Sequence, residues 1–273
     1  MTEIRRMRPL LGTFVEVGAR GAAASDALVS AAFAAMQDIH DVASFQQADS
    51  ALSRLNRQPG VWQELPFSLL MILRLARAMT QRSERLFNCT LGGALVARGA
   101  LPDHGGPEAL ALGDESDIEI RGRQVRLRRP VRITLDGIAK GFAIDRAIRI
   151  MRDGGATAGW VNAGGDLRVF GDMQLAVQRR EADESLSVLG QLRDAAVATS
   201  VWRPQFDARY PALLLAAGRN RDEVAQAWTV LARRAWRADA LTKVAALAPA
   251  SERRQRVEAL GGVLLGAPLE LLD

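Results

Sequence analysis

The stretch ITLDGIAKGFAIDRAIRIMRDGGATAGWVNAGGDLRVFG, residues 133–171, decides how the rest of the chain is arranged. Its first three residues end an extended run that starts at Gln124, and a turn at residues 136–137 follows. From residue 138 to residue 151, apolar side chains recur at the spacing of one helix face. The pattern therefore predicts a strand, a glycine-containing turn and a helix in succession.

The second half of this stretch predicts the end of the helix and a hairpin. Gly154 and Gly155 stop the helix, because glycine readily adopts the left-handed conformation that closes helix C-termini. Residues 160–162 and 167–169 have the composition of two short strands. The residues between them, 163–166, contain two glycines and are predicted to form the turn.

The start of the predicted helix has the properties of an anion site. Backbone N–H groups at a helix N-terminus have no partner within the helix, so a phosphate can bind there. Lys140 lies on this first turn, where the helix dipole disfavours a cation, and that misfit indicates an anion nearby.

Lysine is rare in this chain. Of its 36 basic residues only Lys140 and Lys243 are lysines, and all others are arginines. A lysine ammonium is a compact point charge, whereas the arginine guanidinium is a broad planar fork. Two explanations of this rarity remain open. Either codon bias favours arginine and two lysines remain by chance, or these two positions require a slender cation.

Composition limits the class of protein. A chain of 273 residues can form one large domain or two small ones, and 48% hydrophobic with 25% charged residues is typical of a globular protein. A net charge of +5 and a pI near 10.4 suit an anionic ligand or partner. The arginines are dispersed and aromatic residues make up only 5%, which disfavours an RNA-binding module.

The same sequence predicts the compartment. A single cysteine, Cys89, excludes an internal disulfide. The N-terminal residues contain no apolar segment of the kind found in signal peptides, and no run reaches the ~18 apolar residues of a membrane span. We expect a cytoplasmic protein without a membrane span, or a periplasmic one if a leader has been removed.

Strands and helices are mixed along the whole chain, which predicts an α+β fold. One domain is predicted over residues 1–273, with two lobes as the alternative, and with a surface loop at 100–117 that exposes His104 to solvent. The further predicted elements are strands at 13–17, 118–120, 124–127, 173–178, 185–199 and 228–232, helices at 22–45, 49–56, 66–82 and 237–244, a short apolar helix after residues 87–93, and a helix and final strand within 251–273.

Four side chains have an ordinary structural interpretation. His40 is predicted on a helix, at or near the surface, and Cys89 is predicted to be an inert buried thiol because no base is evident beside it. Asp239 and Lys243, four residues apart, share one helix face. They form either a plain helix ion pair, worth about 0.3–0.5 kcal/mol if it is exposed, or a carboxylate and an ammonium beside a ligand phosphate.

Six short motifs follow one another over nearly the whole chain. They are Leu11–Thr13 (LGT), Asp49–Asn56 (DSALSRLN), Leu135–Asp145 (LDGIAKGFAID), Val161–Asp166 (VNAGGD), Ala198–Ser200 (ATS) and Ala238–Leu241 (ADAL). In this order they resemble the ApbE family, the FAD:protein FMN transferases. Each motif alone is weak, whereas six in collinear order are specific. Neither a GxGxxG nor a GxxxxGK[ST] fingerprint is present.

The resemblance implies both a fold and a reaction. The implied fold is α+β, ApbE-like and T-fold-like, with a largely antiparallel sheet and packed helices. FAD is the implied bound cofactor, with Mg²⁺ as the usual cation, and the implied partner is an acceptor flavoprotein. A threonine hydroxyl of that acceptor attacks the FMN-side phosphorus of FAD, and AMP leaves.

The resemblance also assigns roles to individual residues. The implied FAD contacts are Leu11, Phe45, Thr134, Gly137, Lys140, Asp145 and Thr242. The implied metal ligands are the backbone carbonyl of Gly137 and the carboxylate of Asp239, and Asp239 with Lys243 forms the implied catalytic pair.

The sequence departs from the family pattern at three places. Lys243 stands where the family has a metal-ligating threonine, and a cation there repels Mg²⁺ in a confined site, so we hypothesise that its ammonium replaces the metal or weakens its binding. Residues 210–219 lack the histidine and aspartate of the corresponding family segment, and Asn88 stands where the family favours aspartate. No general base is therefore visible, and a protein that binds flavin or assists flavoprotein assembly without transfer is the alternative.

Overall fold

The structure is a computed structural model that describes residues 2–181, 185–202 and 226–266. The α-helices in these ranges are α1 (Asp26–Ala43), α2 (Ala51–Arg57), α3 (Phe67–Arg82), α4 (Gly92–Ala97), α5 (Ala139–Asp153), α6 (Ala235–Leu247) and α7 (Arg253–Ala259). The strands are β1 (Glu3–Leu10), β2 (Thr13–Arg20), β3 (Gln63–Glu64), β4 (Ile118–Arg121), β5 (Gln124–Leu127), β6 (Ala158–Ala163), β7 (Asp166–Gly171), β8 (Leu175–Arg180), β9 (Leu186–Leu192), β10 (Ala196–Trp202), β11 (Gln226–Ala232) and β12 (Gly262–Leu265). The predicted α+β class with a largely antiparallel sheet is confirmed.

The described residues divide into two compact units. The first contains the residues up to Gln37 and those from Lys140 onward, and the second is Asp38–Ala139. Each has its own buried apolar side chains. The prediction of one domain over the whole chain stays a prediction.

The first unit is built on an antiparallel sheet of seven strands in the order β1-β2-β6-β7-β10-β11-β12, and β8 and β9 form a separate hairpin. Helix α6 packs on β10 and β11, and α7 packs on β12. Valines of the central strands, such as Val17, Val161 and Val169, are completely buried. This core holds the N-terminal turns of α5 and α6 near β7, where the charged side chains described below meet.

The second unit contains α2, α3, α4 and the three-stranded sheet β3-β5-β4. The apolar stripe predicted on α3 is buried, with Leu69, Leu70, Ile72 and Leu73 at 1% exposure or less. The predicted cap of α2 is Ser50, whose hydroxyl accepts a hydrogen bond from the Ser53 N–H at 3.0 Å. Such a cap satisfies one of the free donors at a helix start.

The organising stretch folds largely as predicted. Helix α5 begins at Ala139 and ends at Asp153, and Gly155 after it adopts φ +87. Strands β6 and β7 form the predicted hairpin, closed by the pair Ala163 and Asp166.

One prediction about strands is wrong, and one strand was not predicted. The extended run predicted from Gln124 to Leu135 stops at Leu127, because the chain turns at Pro130. The backbone groups after Pro130 form hydrogen bonds outside a strand. The amide side chain of Asn56 satisfies both backbone groups of Ile133 at 2.8 Å. Strand β1 was not anticipated, because it lies at the sheet edge with mostly exposed side chains and carries no apolar alternation.

His104 differs from its prediction as well. Its Nε2 lies 2.8 Å from the Phe45 carbonyl oxygen, and the side chain is partly buried against the Phe45 ring instead of open to solvent. His40 is partly buried on α1, as predicted. Residues 210–219 and the last residues of the predicted final strand segment, 267–273, lie outside the described residues. Within the described ranges, no helix has the length and hydropathy needed to cross a membrane.

Candidate functional site

The first turns of α5 and α6 approach each other closely at Gly141. A Cβ atom on this glycine would lie 2.4 Å from the carbonyl oxygen of Ala235, so only glycine allows the two backbones to meet. The approach brings Asp239 of α6 to the start of α5, where its Oδ2 accepts a hydrogen bond from the Gly141 N–H at 3.2 Å. Part of the anion site that the sequence predicts at the start of α5 is therefore occupied by a carboxylate of the protein itself.

Asp239 also binds Lys243. The Lys243 Nζ lies 2.6 Å from Asp239 Oδ1, and the side chains are 22% and 1% exposed, respectively. Both oxygens of this buried carboxylate thus have a partner, one the ammonium and the other a backbone N–H. The helix ion pair predicted from this i,i+4 spacing is present, but the small energy of an exposed pair does not apply to it, because Asp239 is shielded from solvent.

The second lysine, Lys140, binds a carboxylate that the sequence interpretation did not single out. Its Nζ lies 3.1 Å from Oδ2 of Asp166, the first residue of β7, whose side chain is only 4% exposed. Burial raises the pKa of Asp166, Lys140 opposes that effect, and the nearby Asp239 carboxylate adds to it, while Lys243 lowers it. Two ammonium groups and two carboxylates therefore act on one another at this site, which we call the lysine–aspartate cluster.

Asp166 could have been found from the strand pattern. In β7 the charged residues Asp166 and Arg168 alternate with Leu167 and Val169, so both charges lie on one face of the strand. All four residues are buried, and a buried charge requires a partner. Only the tertiary structure shows that those partners are Lys140 and Asp145.

Asp145 supports the start of α6. Its carboxylate accepts hydrogen bonds from the N–H groups of Ala235 at 3.0 Å and Trp236 at 3.1 Å, and it forms a short ion pair with Arg168. Burial raises the pKa of Asp145, and Arg168 opposes this effect. The geometry makes Asp145 an N-terminal anchor of the helix that carries Asp239. Its implied contact with FAD stays a prediction.

Thr242 is also engaged within the protein. Its buried hydroxyl donates to the backbone carbonyl of Asp239 at 2.7 Å and lies 2.7 Å from the hydroxyl of Ser200 on β10. These bonds fix α6 to the sheet beside the lysine–aspartate cluster. A role of Thr242 in binding FAD stays a prediction.

The other implied FAD contacts lie elsewhere in the chain. Leu11 is partly buried in the turn between β1 and β2, at φ 56. In the second unit, Phe45 is buried, and the buried Thr134 accepts a hydrogen bond from the Asp136 N–H at 3.4 Å. Gly137 lies in the turn that precedes α5. The roles of these four residues stay predictions.

The residues present do not fit a divalent cation at Asp239. Magnesium requires several oxygen ligands, but both Asp239 oxygens are bound to hydrogen-bond donors, one of them cationic. Asp166 faces Lys140. In the part of the chain that the structure describes, no three His, Cys, Asp or Glu side chains are grouped so that they could hold a metal.

Two further side chains provide no nucleophile or base. Burial raises the pKa of the Cys89 thiol to about 11, in agreement with the predicted inert thiol. The Asn88 side chain donates to the Gly113 carbonyl at 3.0 Å and accepts from the N–H of Thr90 at 2.8 Å. It therefore stabilises its own loop.

The fold is that of the solved ApbE proteins. The chain is similar to the ApbE protein of Thermotoga maritima, with a TM-score of 0.79 at 21% identity, and to the apo flavinyl transferase ApbE of Pseudomonas stutzeri, with a TM-score of 0.75 at 18% identity; each comparison covers 96% of this chain and 93% of the other. The flavin transferase ApbE of Vibrio cholerae is similar with a TM-score of 0.73 at 18% identity, over 95% of this chain and 90% of that one.

The sequence identifies the family. The sequence model of the ApbE family matches residues 11–264, and the chain belongs to that family. The resemblance found in the six motifs is thereby confirmed. A comparison with curated proteins gives no match.

Proposed function

We propose that this protein transfers FMN from FAD to a threonine hydroxyl of an acceptor flavoprotein and releases AMP. Membership of the ApbE family supports a transferase, and two of the structurally similar proteins are named as flavin or flavinyl transferases. The lysine–aspartate cluster is the observation that carries the proposal for this chain, because it brings both lysines of the protein to one place.

The proposed reaction is a phosphoryl substitution. The threonine oxygen forms a bond to the FMN-side phosphorus of FAD, and the bond from that phosphorus to the bridging oxygen breaks. The AMP portion leaves with the bridging oxygen and its electron pair, and the hydroxyl proton is released. A loose transition state of this type depends mainly on positioning and on stabilising negative charge.

The residues of the cluster suit that task. Each ammonium has three N–H donors and can bind a carboxylate and a phosphate oxygen at the same time. The buried carboxylates Asp166 and Asp239 hold Lys140 and Lys243 in place, so little reorganisation is needed when charge develops on the bridging oxygen. The Asp239 carboxylate, both oxygens of which have a hydrogen-bond partner, is a positioning group rather than a base.

Flavin binding without transfer is the second candidate. The absence of the family's histidine and aspartate from residues 210–219, together with the structural role of Asn88, favours it. In this case the cluster would bind the pyrophosphate of FAD, and the acceptor threonine would remain unmodified.

One experiment tests the proposal and separates the two candidates. The protein is incubated with FAD and an acceptor flavoprotein domain, with and without Mg²⁺, and the intact mass of the acceptor is measured. Transfer adds the mass of one FMN moiety, and an acceptor with valine in place of its threonine serves as the control. FAD binding without a mass change under either condition would refute transfer and leave flavin binding as the function.

A further inference from the structure

The two ion pairs of the lysine–aspartate cluster are built alike. In each pair the carboxylate is almost completely buried, with side-chain exposures of 1% for Asp239 and 4% for Asp166. The ammonium-bearing side chains are more exposed, at 22% for Lys243 and 31% for Lys140. Each lysine is therefore held from the protein side by a buried anion, while part of its side chain stays exposed.

The ion pair of Lys140 with Asp166 and that of Lys243 with Asp239 are neighbours within the first unit. Asp166 experiences the charges of Lys140, Asp239 and Lys243 together. The Gly141 N–H, which follows Lys140 directly, is bound to Asp239, the partner of Lys243. One hydrogen bond thus links the start of α5, which carries one lysine, to the helix that carries the other.

The two ammonium groups of the cluster are cations of the kind that a phosphate site without a metal uses. Two ammonium groups carry together the same formal charge as one divalent cation. A Mg²⁺ ion at Asp239 would have to displace Lys243 from Oδ1, and at the short distances involved the two cations would repel each other strongly. Unlike a metal ion, the lysines are covalently part of the chain and cannot dissociate.

We infer that Lys140 and Lys243 together take the place of a divalent cation, so that this protein binds the pyrophosphate of FAD without a metal. The inference rests on the proposed function for the identity of the ligand. It goes beyond that function because it assigns the positive charge to two lysine side chains that are paired with Asp239 and Asp166. The family resemblance assigns no role to Asp166.

Manganese binding tests this inference without reference to catalysis. Mn²⁺ is titrated into the full-length protein, with and without FAD, and the free ion is followed by electron paramagnetic resonance. The wild-type protein is compared with Lys243→Thr, which removes the cation and supplies a hydroxyl, and with the matched control Arg256→Thr. Arg256 of α7 forms an i,i+4 pair at 2.7 Å with Glu252, the residue just before that helix, so the acid precedes the base as in Asp239 and Lys243.

We expect that neither the wild type nor Arg256→Thr binds Mn²⁺ saturably. With FAD present, the Mn²⁺ bound should not exceed the amount that FAD binds without protein. In the presence of FAD, Lys243→Thr is expected to bind Mn²⁺ saturably and at least about tenfold more tightly than FAD alone does, because the repelling charge is gone. FAD affinity is then measured in the presence of Mn²⁺, before and after EDTA is added. EDTA should leave the FAD affinity of the wild type unchanged and should weaken the FAD affinity of Lys243→Thr.

Two results would overturn the inference. The first is stoichiometric Mn²⁺ binding by the wild type that is lost in Asp239→Asn, which would show a functioning metal site despite Lys243. The second is a folded Lys243→Thr protein, as judged by circular dichroism, whose Mn²⁺ affinity equals that of the wild type. If Lys243→Thr does not fold, the wild-type titration alone decides. Failure of FMN transfer would refute the proposed function and leave the Mn²⁺ result intact.

Discussion

Replacing Gly141 with alanine should separate the two helices that carry the lysine–aspartate cluster. The added Cβ would lie 2.4 Å from the Ala235 carbonyl oxygen and 2.6 Å from the Cα of Trp236. These are backbone atoms of α6, so no side-chain rotation can relieve the contact. To restore ordinary van der Waals distances of about 3.5 Å, α5 and α6 would have to move apart by roughly 1 Å.

The magnitude follows from three effects. Overpacking of a close contact costs about 1–3 kcal/mol. Loss of the hydrogen bond from the residue 141 N–H to the buried Asp239 carboxylate costs about 1.5–3 kcal/mol, as for bonds to charged groups. Alanine gains about 1 kcal/mol over glycine through helix propensity. The clash and the lost hydrogen bond outweigh the propensity gain, and we expect Gly141→Ala to lower the free energy of unfolding by about 1.5–5 kcal/mol.

The assay is urea unfolding followed by tryptophan fluorescence and circular dichroism, with the midpoint and the slope fitted separately. Gly154→Ala is the matched control. Its Cβ would meet the Leu28 Cδ1 at 2.4 Å, which is the end of a flexible side chain, and the next atom lies at 3.2 Å. We expect a change below about 1 kcal/mol for this control. A Gly141→Ala protein as stable as the wild type, or more stable, would refute the close approach of α5 and α6.

Three further predictions concern individual side chains. Lys140→Ala should weaken FAD binding about tenfold or more, as measured by quenching of FAD fluorescence, because a charge-assisted bond to phosphate is lost. A dissociation constant equal to that of the wild type would contradict the assigned role. The double variant Lys140→Ala with Asp166→Asn controls for the carboxylate that loses its partner. Arg168→Met should lower the free energy of unfolding by about 3–5 kcal/mol, because Asp145 would lose its partner in a buried pair; a loss below 1 kcal/mol in urea unfolding would speak against it. Cys89 should resist iodoacetamide at pH 8 until the protein is unfolded, because a pKa of about 11 instead of 9.0 lowers the thiolate fraction about a hundredfold. Rapid alkylation of the native protein would show that the thiol is accessible.

Much of the local structure can be read from the sequence because its causes are local. The Ser50 cap, the apolar stripe of α3 and the glycines after α5 each act within one or two helical turns. The hairpin of β6 and β7 likewise depends on a short turn between two runs of strand residues. For the same reason the position of Lys140 at a helix start, and its need for an anion, followed from spacing alone.

Other features depend on residues that are distant in the chain. The extended run from Gln124 does not reach Ile133, because the chain turns at Pro130 and the Asn56 side chain binds the backbone of Ile133. The edge strand β1 is determined by pairing with β2. His104 was assigned to solvent because a loop sequence does not reveal that the Phe45 carbonyl lies beside it.

The site shows the same division. By itself the sequence determined the family, the helical setting of both lysines and the placing of Asp239 and Lys243 on one helix face, because motif order and i,i+4 spacing are properties of the chain. Only the tertiary structure decided that the anion beside Lys140 is Asp166, and that Asp145 anchors α6. The physical reason is that a buried charge is compensated by whichever partner the packing of helices and strands brings within reach, and that partner has no fixed distance along the sequence.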